Sequence, residues 1–314
     1  MGYVTKYGSF WGDIPITSGR VFWVAPSASY VVEGRTYVGS DSNDGLSPER
    51  ALITVNRAMD LVTADVGDVI ILLPGSHSWS ATQTIDVAGV KVLGLPGGPV
   101  DPHEHGTRTT RYASAVTTTA SAAVFTVTAA RSEIAYLHVV PASAQAGIDL
   151  AADDANIHDL TWNISTAANT ATFGISVSGA SARPRISNQY VYVSDNQGPF
   201  LRCASATAGM DGGMLQRSLV VLAGTTAWDD VVEITTGVDN FIIRDCDFMH
   251  SSGAIMTDIV DVAGNTNDHA VMVMRCMHAV AGDLTEATAT SDIQLCNNYI
   301  ATIQGGTGGT LSTG

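Results

Sequence analysis

Three pairs of nearby carboxylates could do chemistry: Asp153/Asp154, Asp229/Asp230, and Asp245/Asp247, which flank Cys246. Hydrolysis of a glycosidic bond needs two carboxyls set across it, one to protonate the leaving oxygen and one to serve as base or nucleophile. Arg244 and Arg275 precede Cys246 and Cys276 by two residues and one, and could stand beside those acids. The same positions equally suit a solvated strand face. Asp41, Asn43 and Asp44, followed by Gly45, offer alternating oxygens as calcium loops do. They lack the bidentate glutamate, and the same residue types make an ordinary turn. His103-Glu104-His105 is half of a transition-metal site with no third ligand in view. No cofactor, no metal centre and no catalytic residue is therefore assigned.

The cysteines Cys203, Cys246, Cys276 and Cys296 are too sparse for a disulfide framework and lack C-x-x-C spacing. Three of them belong to a repeat: an aliphatic residue, a second core residue three positions on, and often a third two beyond. It runs through Ile134/Leu137/Val139, Ile157/Leu160/Trp162, Ile186/Gln189/Val191 and Leu215/Ser218/Val220. It continues through Ile243/Cys246/Phe248, Val273/Cys276/His278 and Ile293/Cys296/Asn298. Successive first positions lie 23, 29, 29, 28, 30 and 20 residues apart, and Val90/Leu93/Leu95 lies 44 before Ile134, room for two coils. The segments are short and β-branched, with Asn, Asp, Gly and Ser in the gaps. That pattern predicts coils of two or three short strands, each pairing in parallel with its counterpart one rung up, about 4.8 Å away. The fold class is all-β: a right-handed parallel β-helix with a short N-terminal capping helix, the hand following from the bias of parallel crossovers. About nine or ten coils fit between residues 66 and 303, a rod of about 45 Å. Cys246, Cys276 and Cys296 are expected as a stacked interior ladder of buried, reduced thiols. The rung spacing alone would admit a disulfide, but parallel side-chain vectors and a reducing compartment argue against one.

Ahead of the coils, Ser47 is a candidate N-cap, Pro48 a first helical residue and Glu49 a first-turn acid. Leu52, Val55, Met59 and Val62 then share one helical face. Gly67 to Gly75 reads as a buried strand ended by a turn, so the helix would seal the lower end of the solenoid. Residues 1–35 form an aromatic-rich arm, 36–65 a lead-in loop and capping helix, 66–303 the β-helix, and 304–314 a flexible Gly/Thr-rich tail. Eight of the 21 aromatics fall within the first 37 residues. Phe22-Trp23-Val24 and Tyr37-Val38 are expected to pack under the cap helix. Tyr3, Tyr7, Phe10 and Trp11 are candidates for anchoring another subunit or a larger surface.

The net charge is −15, with Lys6 and Lys91 the only lysines. Such a surface repels phosphate backbones, so nucleic acid is not an expected partner. No signal peptide and no 18-residue apolar run is legible, so no membrane partner is expected either.

Asp41-Ser42-Asn43-Asp44-Gly45-Leu46-Ser47-Pro48, a helix, then Gly67-Asp68-Val69-Ile70 and Leu73-Pro74-Gly75 resembles the opening of pectate-lyase-like β-helix proteins. The chain as a whole is similar to virion proteins of tailed bacteriophages, above all those that decorate or cement a capsid. That resemblance implies a non-enzymatic structural component on the capsid exterior, assembled in the host cytoplasm, with the major capsid protein as partner. It also implies a homotrimer. Met249, Met256, Met272, Met274 and Met277 cluster on two coils, and Met272 and Met274 alternate with Val271 and Val273. Met272, Met274 and Met277 are thus candidates for the trimer contact. The alternative is a tailspike-like or lyase-like protein that binds or cleaves polysaccharide, such as a host surface glycan. Polygalacturonase-like enzymes carry Gly-His-Gly and Arg-Ile-Lys, and this chain has neither.

Overall fold

The computed structural model describes residues 18–32, 34–95, 114–142, 144–165, 172–194, 198–203, 209–222, 230–234, 238–250, 255–262, 271–279, 281–286 and 293–300. Among them, three parallel sheets stack the chain into a β-helix. The first sheet has ten strands, from Val21–Val24 to Ile293–Cys296. The second has nine, from Gly75–Trp79 to Tyr299–Ile300, and the third eight, from Gln83–Ile85 to Ala281–Glu286. One coil is Asn156–His158, then Thr161–Ser165, then Phe173–Val177. No described helix is long and apolar enough to cross a membrane.

The repeat read from sequence is the inward column of the first sheet. Ile134, Ile157, Ile186, Leu215, Ile243 and Val273 pair rung to rung and are buried. Burying each such side chain contributes about 1.5–3 kcal/mol, realised only when the next rung is in place. At the bottom of this column the register differs from the sequence reading. Val92, not Val90, pairs with Ile134, so the 44-residue interval is one coil with a long excursion rather than two coils. At the top, Val273 pairs with Leu295 and Met274 with Cys296. The place above Cys276 therefore belongs to Asn298, whose Oδ1 accepts from Cys276 N at 2.9 Å. Cys296 lies on the outside and is exposed. The interior thiol ladder is Cys246–Cys276 alone. Both slips are by two residues, which keeps every side chain on its own face and so hides them from a pattern of alternation.

Apart from the long excursion after Leu93, the turn from the first sheet to the second is two residues. Its first residue is left-handed in every coil from Tyr136 on: Tyr136 (φ 61°), Asp159 (51°), Asn188 (54°), Arg217 (48°), Asp245 (54°), Arg275 (51°) and Asn297 (54°). Tyr136 donates its N–H to Asp159 O of the next rung, and each from Asp159 to Arg275 donates to the strand end of the next rung, as Asp159 does to Ser187 O at 3.1 Å. The second residue of the turn points inward.

The base is sealed differently from the expectation. Pro48–Arg50 is only a 3-10 turn, and the helix is Val55–Met59, capped by Thr54, whose Oγ1 accepts from Arg57 N. Asp41 holds the preceding residues out of the helix: Oδ1 accepts from Ile53 N and Thr54 N, and Oδ2 from Thr54 Oγ1. Asn56 ties the helix to the third sheet, donating Nδ2–H to Thr82 O and accepting from Thr84 N. The first sheet also starts earlier than residue 66, because Val21–Val24 pairs in register with Val69–Leu72. Phe22 and Val24 enter the main core beside Leu52, Val55 and Met59. Trp23 faces the other way, into a second apolar cluster with Tyr30, Ile71 and Leu93. Val38 packs under nothing; it is 70% exposed on the hairpin Ser29–Val32/Arg35–Val38.

Three histidines make this fold pH-sensitive in opposite directions. His77 is wholly buried beside Trp79 with a ring nitrogen 2.8 Å from Leu73 O, and burial lowers its pKa to about 4. His138, bonded to Thr161 Oγ1, is likewise lowered to about 4 by burial. For His158 burial also lowers the pKa, but bonds to Asp159 at 2.8 Å and Glu133 at 3.2 Å outweigh it and raise the value to about 9. Lowered groups stabilise the fold above their unfolded pKa of about 6.5 and lose that contribution as pH falls toward 4. The raised group contributes fully below about 6.5 and loses it as pH rises through 9. Urea midpoints should accordingly peak near neutrality, with His77 and His138 each worth up to about 3 kcal/mol on the acid side. A midpoint flat from pH 4 to 9 would show that these environments are not as described.

Candidate functional site on the outer face of the third sheet

The carboxylates singled out in the sequence are mostly structural. Asp153 Oδ1 accepts from Ala182 N, and Asp154 forms a two-pronged pair with Arg183 at 2.8 Å. Asp245 pairs the same way with Arg275 at 2.6 and 2.8 Å, and Arg244 holds Gln216 Oε1. The facing guanidinium keeps the carboxyls of Asp154 and Asp245 below the usual range despite a small opposing effect of desolvation. Asp245 opens the turn, and Asp247 begins the strand that follows it. In the suspected calcium loop, Asp41 caps residues 53 and 54, Asn43 donates to Val38 O and Ala51 O, and Asp44 pairs with Arg50. Among the described residues no group of three His, Cys, Asp or Glu is placed to hold a metal. Tyr3, Tyr7, Phe10, Trp11, His103 to His105, Asp229 and the tail lie outside the described residues. Met272 and Met274 face outward on the first sheet, while Met277 opens a strand of the second, around the turn from them.

The arrangement with chemical capacity was missed in the sequence. In the third sheet, Ile148, Leu150, Leu201, Cys203, Val232 and Ile234 point inward, which sends the residues between them out. Rung by rung this outer column reads Thr84, Thr126, Asp149, Ser176, Arg202, Glu233 and Asp261. Arg202 Cζ lies 4.8 Å from the centroid of the Phe173 ring, so the aromatic fixes its guanidinium by a cation–π contact. Its Nε is 3.1 Å from Glu233 Oε2 but the N–H is not aimed at that oxygen, so charge rather than a directed hydrogen bond holds the pair. Burial, together with Asp261 one rung above, raises the Glu233 pKa against the lowering influence of Arg202. Asp149 Oδ1, lower in the column, is shielded from solvent and has no hydrogen-bond partner among the described residues.

Two carboxyls on successive rungs, one reluctant to ionise, beside an aromatic-backed arginine can bind polar ligands and move protons at a C–O bond. The signal was present: Arg202 to Glu233 is 31 residues and Glu233 to Asp261 is 28, the period of the core column. It was overlooked because the connections before these strands differ in length, whereas Asp153/Asp154 are adjacent in sequence and catch the eye.

No described protein family and no curated protein sequence matches the chain. Its shape does have counterparts. A pectin methylesterase from Aspergillus niger shares 16% identity, with 88% of each chain covered and a TM-score of 0.53. The pectate lyase Pel9A shares 13% over 91% of this chain and 78% of that one, TM-score 0.44. ORF18 of Geobacillus virus E2 shares 11% over 78% and 57%, TM-score 0.38. At such identities the methylesterase likeness establishes the parallel β-helix fold and nothing of substrate.

Carbon-detected NMR titration should find Glu233 ionising above the usual glutamate range. Arg202→Met should raise its pKa further, because the opposing positive charge is gone. A Glu233 that titrates normally in both proteins would remove this site from consideration.

Proposed function

We propose that the chain is a structural, non-enzymatic rod of a bacteriophage virion, a capsid decoration or cement protein that associates as a homotrimer. The observation that carries this reading is the character of two adjoining outer faces. On the first sheet, Met214, Ile242 and Met272 stack on successive rungs, with Met274 beside them. On the second, Tyr190, Leu219, Asp247 and Met277 form one column, and Tyr192, Val221 and Met249 the next. Apart from the exposed Asp247, these side chains are half-buried and uncharged, on a chain of net charge −15. The two faces meet at a two-residue turn, so one copy can offer its first sheet to one neighbour and its second to another. Such a head-to-tail contact closes into a ring when the rotation between copies is a whole fraction of a turn. Arg244 ends a first-sheet strand and Asp247 begins the second-sheet strand of the same coil. Across the ring they would face at equal height, giving Asp247 an ion partner that none of the described residues supplies. Tyr3, Tyr7, Phe10 and Trp11 would anchor the ring to the major capsid protein on the particle's exterior.

A second reading is favoured by the third-sheet column: binding or cleavage of a polysaccharide such as a host surface glycan, with Arg202, Glu233 and Asp261 as the contacting groups. The two are compatible in space, since a ring closed through the first and second sheets leaves the third facing out. Reducing-sugar release from host glycans that is lost in Glu233→Gln and Asp261→Asn would make the protein an enzyme.

Sedimentation at micromolar concentration should give a trimer, and the pair Leu219→Asp with Met277→Asp should give monomers with an unchanged circular dichroism spectrum. A wild-type monomer rules out the ring. Deleting residues 2–13 should release the protein from particles without altering that spectrum; continued occupancy, seen by electron microscopy, would refute the arm's role.

A further inference from the structure

Cys246 and Cys276 are the inward residues of the first-to-second turn on two successive coils, as the pairing of Ile243 with Val273 and Arg244 with Met274 fixes. Met277 N donates to Cys246 O at 2.9 Å, so the turns are in direct contact. Both side chains are fully buried. Their polar environment is local: Cys246 Sγ lies 3.2 Å from Arg244 O, and Cys276 Sγ 3.4 Å from Met274 O and 3.9 Å from Ile243 O in the coil below. Successive rungs put their Cα atoms about 4.8 Å apart, inside the window that a disulfide spans.

The other two cysteines have no such relation. Cys203 lies in the third sheet between Val177 and Ile234, and burial together with Asp211 pushes its thiol up to about 12. Cys296 is exposed on the outer face. Position matters as much as distance. The coil above Cys276 is the last one described, and its core residue Leu295 is 43% exposed, where Val273 below is buried. A rung whose core residue stands partly in solvent opens more readily than one sealed on both sides. The thiol pair joins the two coils beneath that rung.

We propose that Cys246 and Cys276 form a redox staple, oxidised to a rung-to-rung disulfide when the upper coils open in the presence of a small disulfide. The reaction balances as two thiols plus one oxidised glutathione giving the Cys246–Cys276 cystine and two reduced glutathiones. The first thiolate attacks glutathione disulfide and expels one glutathione thiolate. The second then attacks the mixed disulfide and expels the other, with the two protons passing to the departing thiolates. The link closes a loop of about 30 residues and locks the upper coils to the body of the rod.

The test incubates the full-length folded protein with oxidised glutathione at pH 8, blocks remaining thiols after denaturation, and maps the peptides. The expected product is a peptide pair linked through Cys246 and Cys276, with Cys296 carrying glutathione and Cys203 free, and a Tm about 5 °C higher than that of the reduced protein. Cys246→Ser and Cys276→Ser should each lose both link and Tm gain, while Cys203→Ser and Cys296→Ser keep them. Recovery of Cys246 and Cys276 as free thiols from the wild-type protein, with only Cys296 modified, overturns the proposal. That outcome is read without any variant that has to fold.

Discussion

Parallel pairing of each coil with the one below is the constraint from which the rest of this structure follows. A single coil has up to three strands of two to seven residues and no interior of its own, so its inward Ile, Leu or Val is buried only by its neighbours. The turn from first to second sheet shows how strictly the coils must match. A left-handed backbone costs a non-glycine residue about 1 kcal/mol or more, and the chain accepts it with Tyr136, Arg217 and Arg275 as well as with the more tolerant Asn and Asp. The return is a backbone hydrogen bond to the next rung and an inward second residue in the same place each time.

Exact repetition carries an electrostatic penalty, because like residues come to lie about 4.8 Å apart in columns. The corner columns resolve it by pairing opposite charges. Asp154 meets Arg183 and Asp245 meets Arg275 on consecutive rungs. Arg131 reaches two rungs down to Asp65, past Gly89. Gly89 has φ +72°, and a Cβ there would come within 2.7 Å of the Asp65 carboxylate. The third-sheet column breaks the pattern, since Glu233 and Asp261 are both acidic on adjacent rungs and Glu286 pairs in register above them. A local rule broken where its neighbours obey it is where function is to be sought.

The inward column was legible in the sequence because it combines one residue type with one period. Ile134 to Val273 needed nothing but spacing. Two-residue slips were not legible, since Val90 and Val92 are both buried aliphatics and a shift by two preserves the face. The placing of Cys296 failed for that reason. The helix failed for another: Leu52, Val55, Met59 and Val62 do have helical spacing, but Asp41, eleven residues before Leu52, takes the N–H groups of Ile53 and Thr54 for itself. Trp23 shows a third limit. Alternation separates it from Phe22 and Val24 but cannot reveal that the outer face at the base carries its own apolar cluster. The outward meaning of Arg202, Glu233 and Asp261 emerges only once the coils are in register.

The two ends of the solenoid are unequal, and that sets where its dynamics lie. At the base, Asp68 is buried and accepts from Arg20 N at 2.6 Å and Thr63 N at 2.8 Å, fixing the first strand to the chain that follows the cap. The helix, Asn56 and Trp79 Nε1, which donates to Ile53 O, add further ties. At the top of the described coils, Asn298 fills the corner column, and Leu295 stands partly in solvent. In a stack of nearest-neighbour contacts a rung whose core residue is already partly in solvent opens at less cost than one sealed on both sides, and its opening loosens the rung below. Thiols that are inert in the closed rod therefore lie along the route by which it first loosens, whereas Cys203, in the body of the third sheet, lies farther from that end.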